Sequence, residues 1–244
     1  MGFDEAVSLD NSAMEAQSES SPSGRSDNDA PLLEVQDLDC TYRSSGLLSR
    51  LFGQSPAAVV QEVSFSIADQ ETFALVGESG SGKTTIARAI AGLLVPTQGR
   101  IVFEGTDITA KVESRPQELH RRIQFVFQNP DSSLNPHHRV SRIVGRSLEL
   151  FAGSSERASE GRVESLLQDV GLDASYKDRY PKELSGGERQ RIAIARALAA
   201  DPKLILCDEI VSALDVSVQA RTLDLLQELQ EERGVAYLFI AHDL

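Results

Sequence analysis

The sequence predicts an α/β fold with a mostly parallel sheet and an inserted helical subdomain, and three observations carry that reading. Short apolar strands alternate with stretches of helical period along most of the 244 residues. A glycine-rich turn, Gly77-Glu78-Ser79-Gly80-Ser81-Gly82-Lys83-Thr84, falls between a strand and a helix. The middle of the chain, about residues 129–184, loses its strands and turns helical.

Composition sets the frame. Hydrophobic residues make up 41% and charged residues 25%, enough for a core that needs no staples. Lys and Arg number 24 against 37 Asp and Glu, a net charge of -13 that argues against nucleic acid as the partner. The two cysteines, Cys40 and Cys207, are far apart, which excludes a disulfide scaffold and a CxxC metal site. No apolar run approaches the roughly 18 residues of a membrane span. Asp4 and Glu5 stand where a secretory signal would carry basic residues. Work at a membrane would therefore need another chain as the anchor.

Residues 1–30 read as a disordered acidic tail, with seven acids, one base and no apolar periodicity to offset the entropy of ordering. An ordered domain spans residues 31–244. A strand is expected over Leu32–Leu38, a loop over Ser44–Pro56, and a strand over Val59–Ile67, where Val63, Phe65 and Ile67 alternate. Thr72–Val76 reads as a short buried strand, with further strands at Ile101–Phe103 and Ile123–Phe127. Residues 139–151 look helical. Val163, Leu166, Leu167 and Val170 follow helical spacing, with Gly171 placed as a C-terminal cap. Ile192, Ala195, Leu198 and Ala199 mark another helix, Leu204–Cys207 a buried strand, Leu223, Leu226 and Leu229 a helix, and Ala236–Ile240 a last strand.

The turn at residues 77–84 matches GxxxxGK[ST] in the strand–loop–helix setting that the pattern requires. Its glycines let the backbone amides point at phosphate oxygens, and the following helix presents its positive end to the same anion. Lys83 can reach the β- and γ-phosphates of a nucleotide, and the Thr84 hydroxyl can ligate Mg²⁺. The strand Leu204–Cys207 ends in Asp208 and Glu209. Beside a phosphate loop, Asp208 would hold Mg²⁺, and Glu209 would act on the attacking water as general base or as an orienting group. Ser185-Gly186-Gly187-Glu188 opens a helix. A capping box between Ser185 and Glu188 explains part of it. The paired glycines add a second anion site that a capping box does not need.

Together these segments resemble the ABC ATPases. Leu184-Ser185-Gly186-Gly187-Glu188 is similar to their signature motif, with Glu188 in place of the usual Gln. Leu204–Glu209 resembles their Walker B strand and Ser212-Ala213-Leu214-Asp215 their D-loop. Gln128 falls at their Q-loop glutamine, His242 at their switch histidine and Tyr42 at the aromatic that stacks on adenine. The surroundings of Gln128 (Gln128-Asn129-Pro130, then Ser133-Leu134-Asn135-Pro136), Val216–Ala220 after the D-loop and Gly46-Leu47-Leu48 are similar to the oligopeptide and dipeptide importer branch.

The resemblance implies a P-loop NTPase core, an N-terminal antiparallel β subdomain and the inserted helical subdomain. It implies ATP bound by Tyr42, Gly77, Glu78, Ser79, Gly80, Ser81, Gly82, Lys83, Thr84 and Thr85, with Mg²⁺ at Thr84, Gln128 and Asp208. Glu209, His242 and Gln128 would serve catalysis. Ser185, Gly186, Gly187 and Glu188 would face the ATP of a second ATPase subunit in a head-to-tail dimer, with Asp215 reaching across. Transmembrane permease subunits would hold the pair at the cytoplasmic face of the membrane, and an external solute-binding protein would act indirectly. The expected function is ATP hydrolysis that drives import of peptides or similar solutes. A soluble ABC ATPase acting on nucleic acid or ribosomes, and a catalytically silent partner subunit, are the alternatives. Family members usually continue well past the switch histidine, whereas this sequence stops two residues after His242, so the C-terminal end of the domain is expected to be missing.

Overall fold

A computed structural model describes residues 5–9, 30–41, 58–153, 156–212 and 214–241. They form two compact units, residues 1–115 with 240–244, and residues 116–239.

In the first unit, β1 (Glu5–Leu9) runs parallel to β4 (Thr72–Gly77), with Glu5 opposite Phe73 and Leu9 opposite Gly77. The expectation for residues 1–30 placed no element here. An unpaired strand edge accepts any segment that satisfies its backbone groups, and net charge does not prevent that. β2 (Leu33–Thr41) pairs antiparallel with β3 (Ala58–Ile67) and with β5 (Gln98–Phe103). β6 (Thr106–Asp107) completes the order β3-β2-β5-β6. This is the antiparallel subdomain that the resemblance implied. Leu33, Val35, Leu38 and Cys40 of β2 point to its core, and burial pushes the Cys40 thiol up to about 11. The expected loop at residues 44–56 lies outside the described residues.

Phe73, Ala74 and Leu75 of β4 are buried, and so are Ile86, Ala87, Ala89 and Ile90 of α1 (Lys83–Ile90). The buried Arg115 closes this helix. Its guanidinium donates to the carbonyls of Ile90 (2.6 Å), Ala89 (3.3 Å) and Ala110 (3.0 Å). Ala89 and Ile90 lie at the C-terminal end of α1, where helix carbonyls lack intrahelical partners, and Ala110 lies in the loop that leads to Arg115. Desolvation lowers the guanidinium to about 10.

In the second unit, α2 (Gln117–Arg122) leads into β7 (Ile123–Val126). A single helical turn, α3 (Pro130–Ser133), is capped by the Asn129 side chain, which accepts from the Asp131 amide at 2.9 Å. α4 (Val140–Ala152) and α5 (Glu156–Asp169) pack on each other and on α6 (Gly186–Leu198). Val140, Val144 and Leu148 of α4 and Val163, Leu166 and Leu167 of α5 are buried in this helical core. Gly171 takes the expected left-handed conformation (φ 68°) after α5.

β8 (Leu204–Asp208) is buried along its whole length, as a strand covered on both faces must be. It pairs parallel with β7, Ile123 opposite Leu204, and lies between β7 and β9 (Ala236–Ala241). α7 (Val216–Arg233) buries Thr222, Leu225, Leu226 and Leu229. Leu223, read from sequence as part of the inward face, is only half-buried, because Leu225 occupies that stripe.

Candidate functional site

In the first unit the site is the turn from β4 into α1. Lys83, at the first position of the helix, is only 4% exposed. Its ammonium donates to the carbonyls of Gly77 (2.5 Å) and Glu78 (2.7 Å) and to Ser81 Oγ (3.3 Å), so the loop is wrapped around it. The Ser81 amide closes the turn on the Glu78 carbonyl at 3.2 Å. Gly82 has φ 96°, and a Cβ there would lie 2.6 Å from both the Val59 carbonyl oxygen and Val60 Cγ2. Only glycine lets the chain turn this tightly against β3. The first helical bond runs from the Ile86 amide to Gly82, which leaves the amides of residues 83–85 at the positive helix end. Thr84 is half-buried, the Thr85 side chain is buried, and Glu78, Ser79 and Gly80 are exposed.

In the second unit, Asp208 ends β8 at 6% exposure, and Glu209 follows it. Glu209 has φ 47°, in the left-handed region that a non-glycine residue occupies at a cost of about 1–3 kcal/mol. Gln128, just past β7, donates from Nε2 to Glu209 Oε2 at 2.6 Å. Residues 81 positions apart are thus joined at the C-terminal ends of two parallel strands, where open α/β sheets place their ligands. The Glu209 carbonyl accepts from the amide (3.1 Å) and hydroxyl (2.9 Å) of Ser212, which folds the start of the D-loop segment.

The capping box of the signature segment forms as read. Ser185 Oγ accepts from the Glu188 amide (3.3 Å), and Glu188 Oε2 accepts from the Ser185 amide (2.7 Å). Glu188 Oε1 also accepts from the Tyr176 hydroxyl at 2.5 Å. That bond, followed by the Ser185 amide, holds the Glu188 carboxyl below the usual range, and the same contact raises the Tyr176 phenol. The Arg179 guanidinium sits 3.9 Å from the Tyr176 ring centre. Gly186 has open space where a Cβ would stand, whereas at Gly187 a Cβ would come 2.9 Å from Val218 Cγ1. The two glycines differ in kind: a side chain at Gly187 would press on the Val218 methyl of α7. Asp215 is the exposed N-terminal flank of α7, and its side chain makes no capping bond. Tyr42 and His242 lie outside the described residues.

Sequence reasoning missed the residues that hold these pieces in place. Gln219 Nε2 donates to the carbonyls of Val211 (2.9 Å) and Leu214 (3.0 Å) and fixes the D-loop segment. Arg191 donates to the Val170 carbonyl at 2.7 Å. Arg189 pairs with Asp131 at 2.6 Å and also donates to the Leu184 carbonyl. Their only trace in the sequence is proximity to the motifs.

Comparison with known proteins follows the same lines. The ABC transporter family model matches residues 60–212. A putative peptide import ATP-binding protein of Brucella abortus is 44% identical over 211 residues, 86% of this chain and 61% of that protein. A probable peptide ABC transporter ATP-binding protein of Sinorhizobium fredii is 49% identical over 185 residues, 76% of this chain and 52% of that one. The oligopeptide transport ATP-binding protein AmiF of Streptococcus pneumoniae is 47% identical over 218 residues, 87% of this chain and 67% of that one. The chain therefore spans about three fifths of the length of the first of these relatives. Among solved structures, cbiO1 from Clostridium perfringens, part of the ABC transporter complex cbiONQ, superposes with a TM-score of 0.73 at 27% identity, covering 87% of this chain and 79% of that one. A dimeric ATP-binding cassette in a post-hydrolysis state with ADP and Pi gives 0.72 at 28% identity, covering 86% and 88%. With the family match extending over more than half of its residues, the chain belongs to the ABC transporter ATP-binding family.

Proposed function

We propose that the chain is an ATP-hydrolysing subunit of an importer that moves peptides or similar solutes across a membrane. The observation that carries this is the loop wrapped around Lys83, whose ammonium is held by loop carbonyls at the positive end of α1. An anion of several charges entering that loop meets a fixed cation and the amides of residues 83–85 without reorganising the backbone. The relatives are named as ATP-binding proteins, which makes ATP the anion proposed here.

The donor atoms available suit Mg²⁺, since the Thr84 hydroxyl, the Gln128 amide oxygen and the Asp208 carboxylate are all hard oxygen ligands. When bound, Mg²⁺ supplies charge neutralisation on the transferred phosphoryl group. Glu209 would accept a proton from the attacking water or orient it, and the strained backbone with the Gln128 contact fixes where its carboxylate stands. By resemblance, His242 would hold the γ-phosphate and Tyr42 the adenine. Ser185 and the amides of Gly186 and Gly187 would bind the nucleotide of a second ATPase subunit, with Asp215 crossing the dimer.

The relatives named as peptide import proteins support the solute class, and the dimeric neighbour supports the pairing. No helix among the described residues is long and apolar enough to cross a membrane. In this reading permease chains hold the subunit at the cytoplasmic face. Lys83, Asp208 and Glu209 are all present in the sequence, which favours a working over a silent subunit.

The test is reconstitution with cognate permease and solute-binding subunits in liposomes carrying ATP inside. Peptide uptake should depend on ATP and fall to background with Lys83→Ala. ATP-driven uptake that persists in that variant would overturn the reading.

A further inference from the structure

Two arginines of α6 hold the turn that follows Gln128. Arg189 pairs through Nε with Asp131 Oδ1 at 2.6 Å, and its Nη1 donates to the carbonyl of Leu184, the residue immediately before Ser185. Arg196, two helical turns further along, donates from Nη1 to the Ser133 carbonyl at 2.6 Å. The two contacts grip α3 at both ends, at Asp131 and at Ser133, and α3 packs along α6. Asn129 caps that same turn, and Gln128, one residue earlier, holds Glu209.

We infer that Arg189 is a positioning residue that joins the signature segment to the Gln128–Glu209 pair, so that what the signature segment binds governs where the Glu209 carboxylate stands. The inference rests on the proposed ATPase reading and adds to it a route inside one subunit. The physical basis is a short chain of direct contacts. The Leu184 carbonyl and the Asp131 carboxylate share one guanidinium, so displacement of the signature segment must either break one of those contacts or carry α3 with it. α3 is a single turn between Gln128 and Leu134, so its displacement is passed to Gln128 with little slack. The Leu184 contact is a hydrogen bond from Nη1, and the Asp131 contact is a close ion pair at Nε without hydrogen-bond alignment. The Asp131 carboxylate is largely exposed, so the ion pair adds little to overall stability, and a fold defect is not the expected outcome of removing it.

The test compares the full chain with Asp131→Ala, Asp131→Glu, Arg189→Ala and the double variant Asp131→Ala/Arg189→Ala. Two readouts are made: steady-state ATP hydrolysis with nucleotide affinity measured separately, and hydrogen exchange of residues 185–189 without nucleotide. Asp131→Ala should lower kcat by about threefold or more while leaving ATP affinity unchanged, and Asp131→Glu should restore it. The double variant should be no worse than Arg189→Ala alone, because both changes remove one link. Asp131→Ala should also speed exchange at residues 185–189. Wild-type kcat and exchange in Asp131→Ala, or losses that multiply in the double variant, would overturn the inference. A wild-type chain that hydrolyses no ATP would defeat the ATPase reading, and the exchange measurement would still decide the link.

Discussion

Glu209 concentrates the chemistry at the scale of single residues. Its backbone is left-handed, its carbonyl anchors Ser212 and its carboxylate accepts from Gln128. Glu209→Gln keeps the side-chain length and an oxygen that can still accept from Gln128 Nε2, so it removes the basic carboxylate alone. It should reduce kcat at least about 100-fold with ATP binding retained, read by turnover and by equilibrium nucleotide titration. Gln128→Ala leaves the carboxylate but takes away its donor, and a smaller loss of about tenfold in kcat is expected from the same two measurements. Away from this pair, Asp107 reports on pH. The hydroxyl and amide of Thr109, and then Arg100, hold its carboxyl down at about 2, against an ordinary 3.8. A depressed acid adds stability that is fully present above 3.8 and lost as pH falls through about 2. Thr109→Val should bring the Asp107 titration, followed by carboxyl NMR, back toward its ordinary value. The side chain is about half exposed, so the accompanying change in acid stability stays below about 1 kcal/mol.

Helix ends organise the molecule at the scale of elements. α1 begins at Gly82, where a side chain has no room, and ends on the Arg115 guanidinium. Arg115→Ala would leave the carbonyls of Ala89, Ile90 and Ala110 without that donor in a buried setting. The cost should be about 2–3 kcal/mol in denaturant unfolding, with no direct loss of phosphate contacts. α6 begins on the Ser185–Glu188 capping box. Ser185→Ala should cost about 1 kcal/mol by the same measurement, because it removes the hydroxyl that accepts from the Glu188 amide. Glu188 in place of the family's usual glutamine has a local reason. Its carboxylate accepts from both the Ser185 amide and the Tyr176 hydroxyl. The start of α6 was legible in the sequence because a capping box is local, with its partners three residues apart. The end of α1 was not, because Arg115 is 25 residues from the carbonyl it caps and a solitary arginine has no pattern of its own. The same distinction separates the turn around Lys83, fixed by spacing and glycine, from the Gln128–Glu209 contact across 81 positions, which only the pairing of β7 and β8 creates. Leu223 shows the limit of periodicity, since three leucines spaced by three fit a helix whose inward stripe runs instead through Leu225.

At the scale of the whole molecule the chain divides into two units, and each carries local motifs of its own. The antiparallel sheet and the Lys83 loop belong to the first unit; Gln128, Asp208, Glu209, the signature helix and the D-loop segment belong to the second. Composition concealed the strand at residues 5–9, because charge and low periodicity say nothing about which backbone edges stand open. In the proposed function this chain binds ATP at the Lys83 loop and hydrolyses it through Glu209. Single-turnover hydrolysis of ATP with Mg²⁺ present tests it most directly, using the wild-type chain, Lys83→Ala and Glu209→Gln. The wild type should form ADP, Glu209→Gln should hold bound but unhydrolysed ATP, and Lys83→Ala should neither bind nor hydrolyse it. Hydrolysis at the wild-type rate in Glu209→Gln would contradict the proposed function.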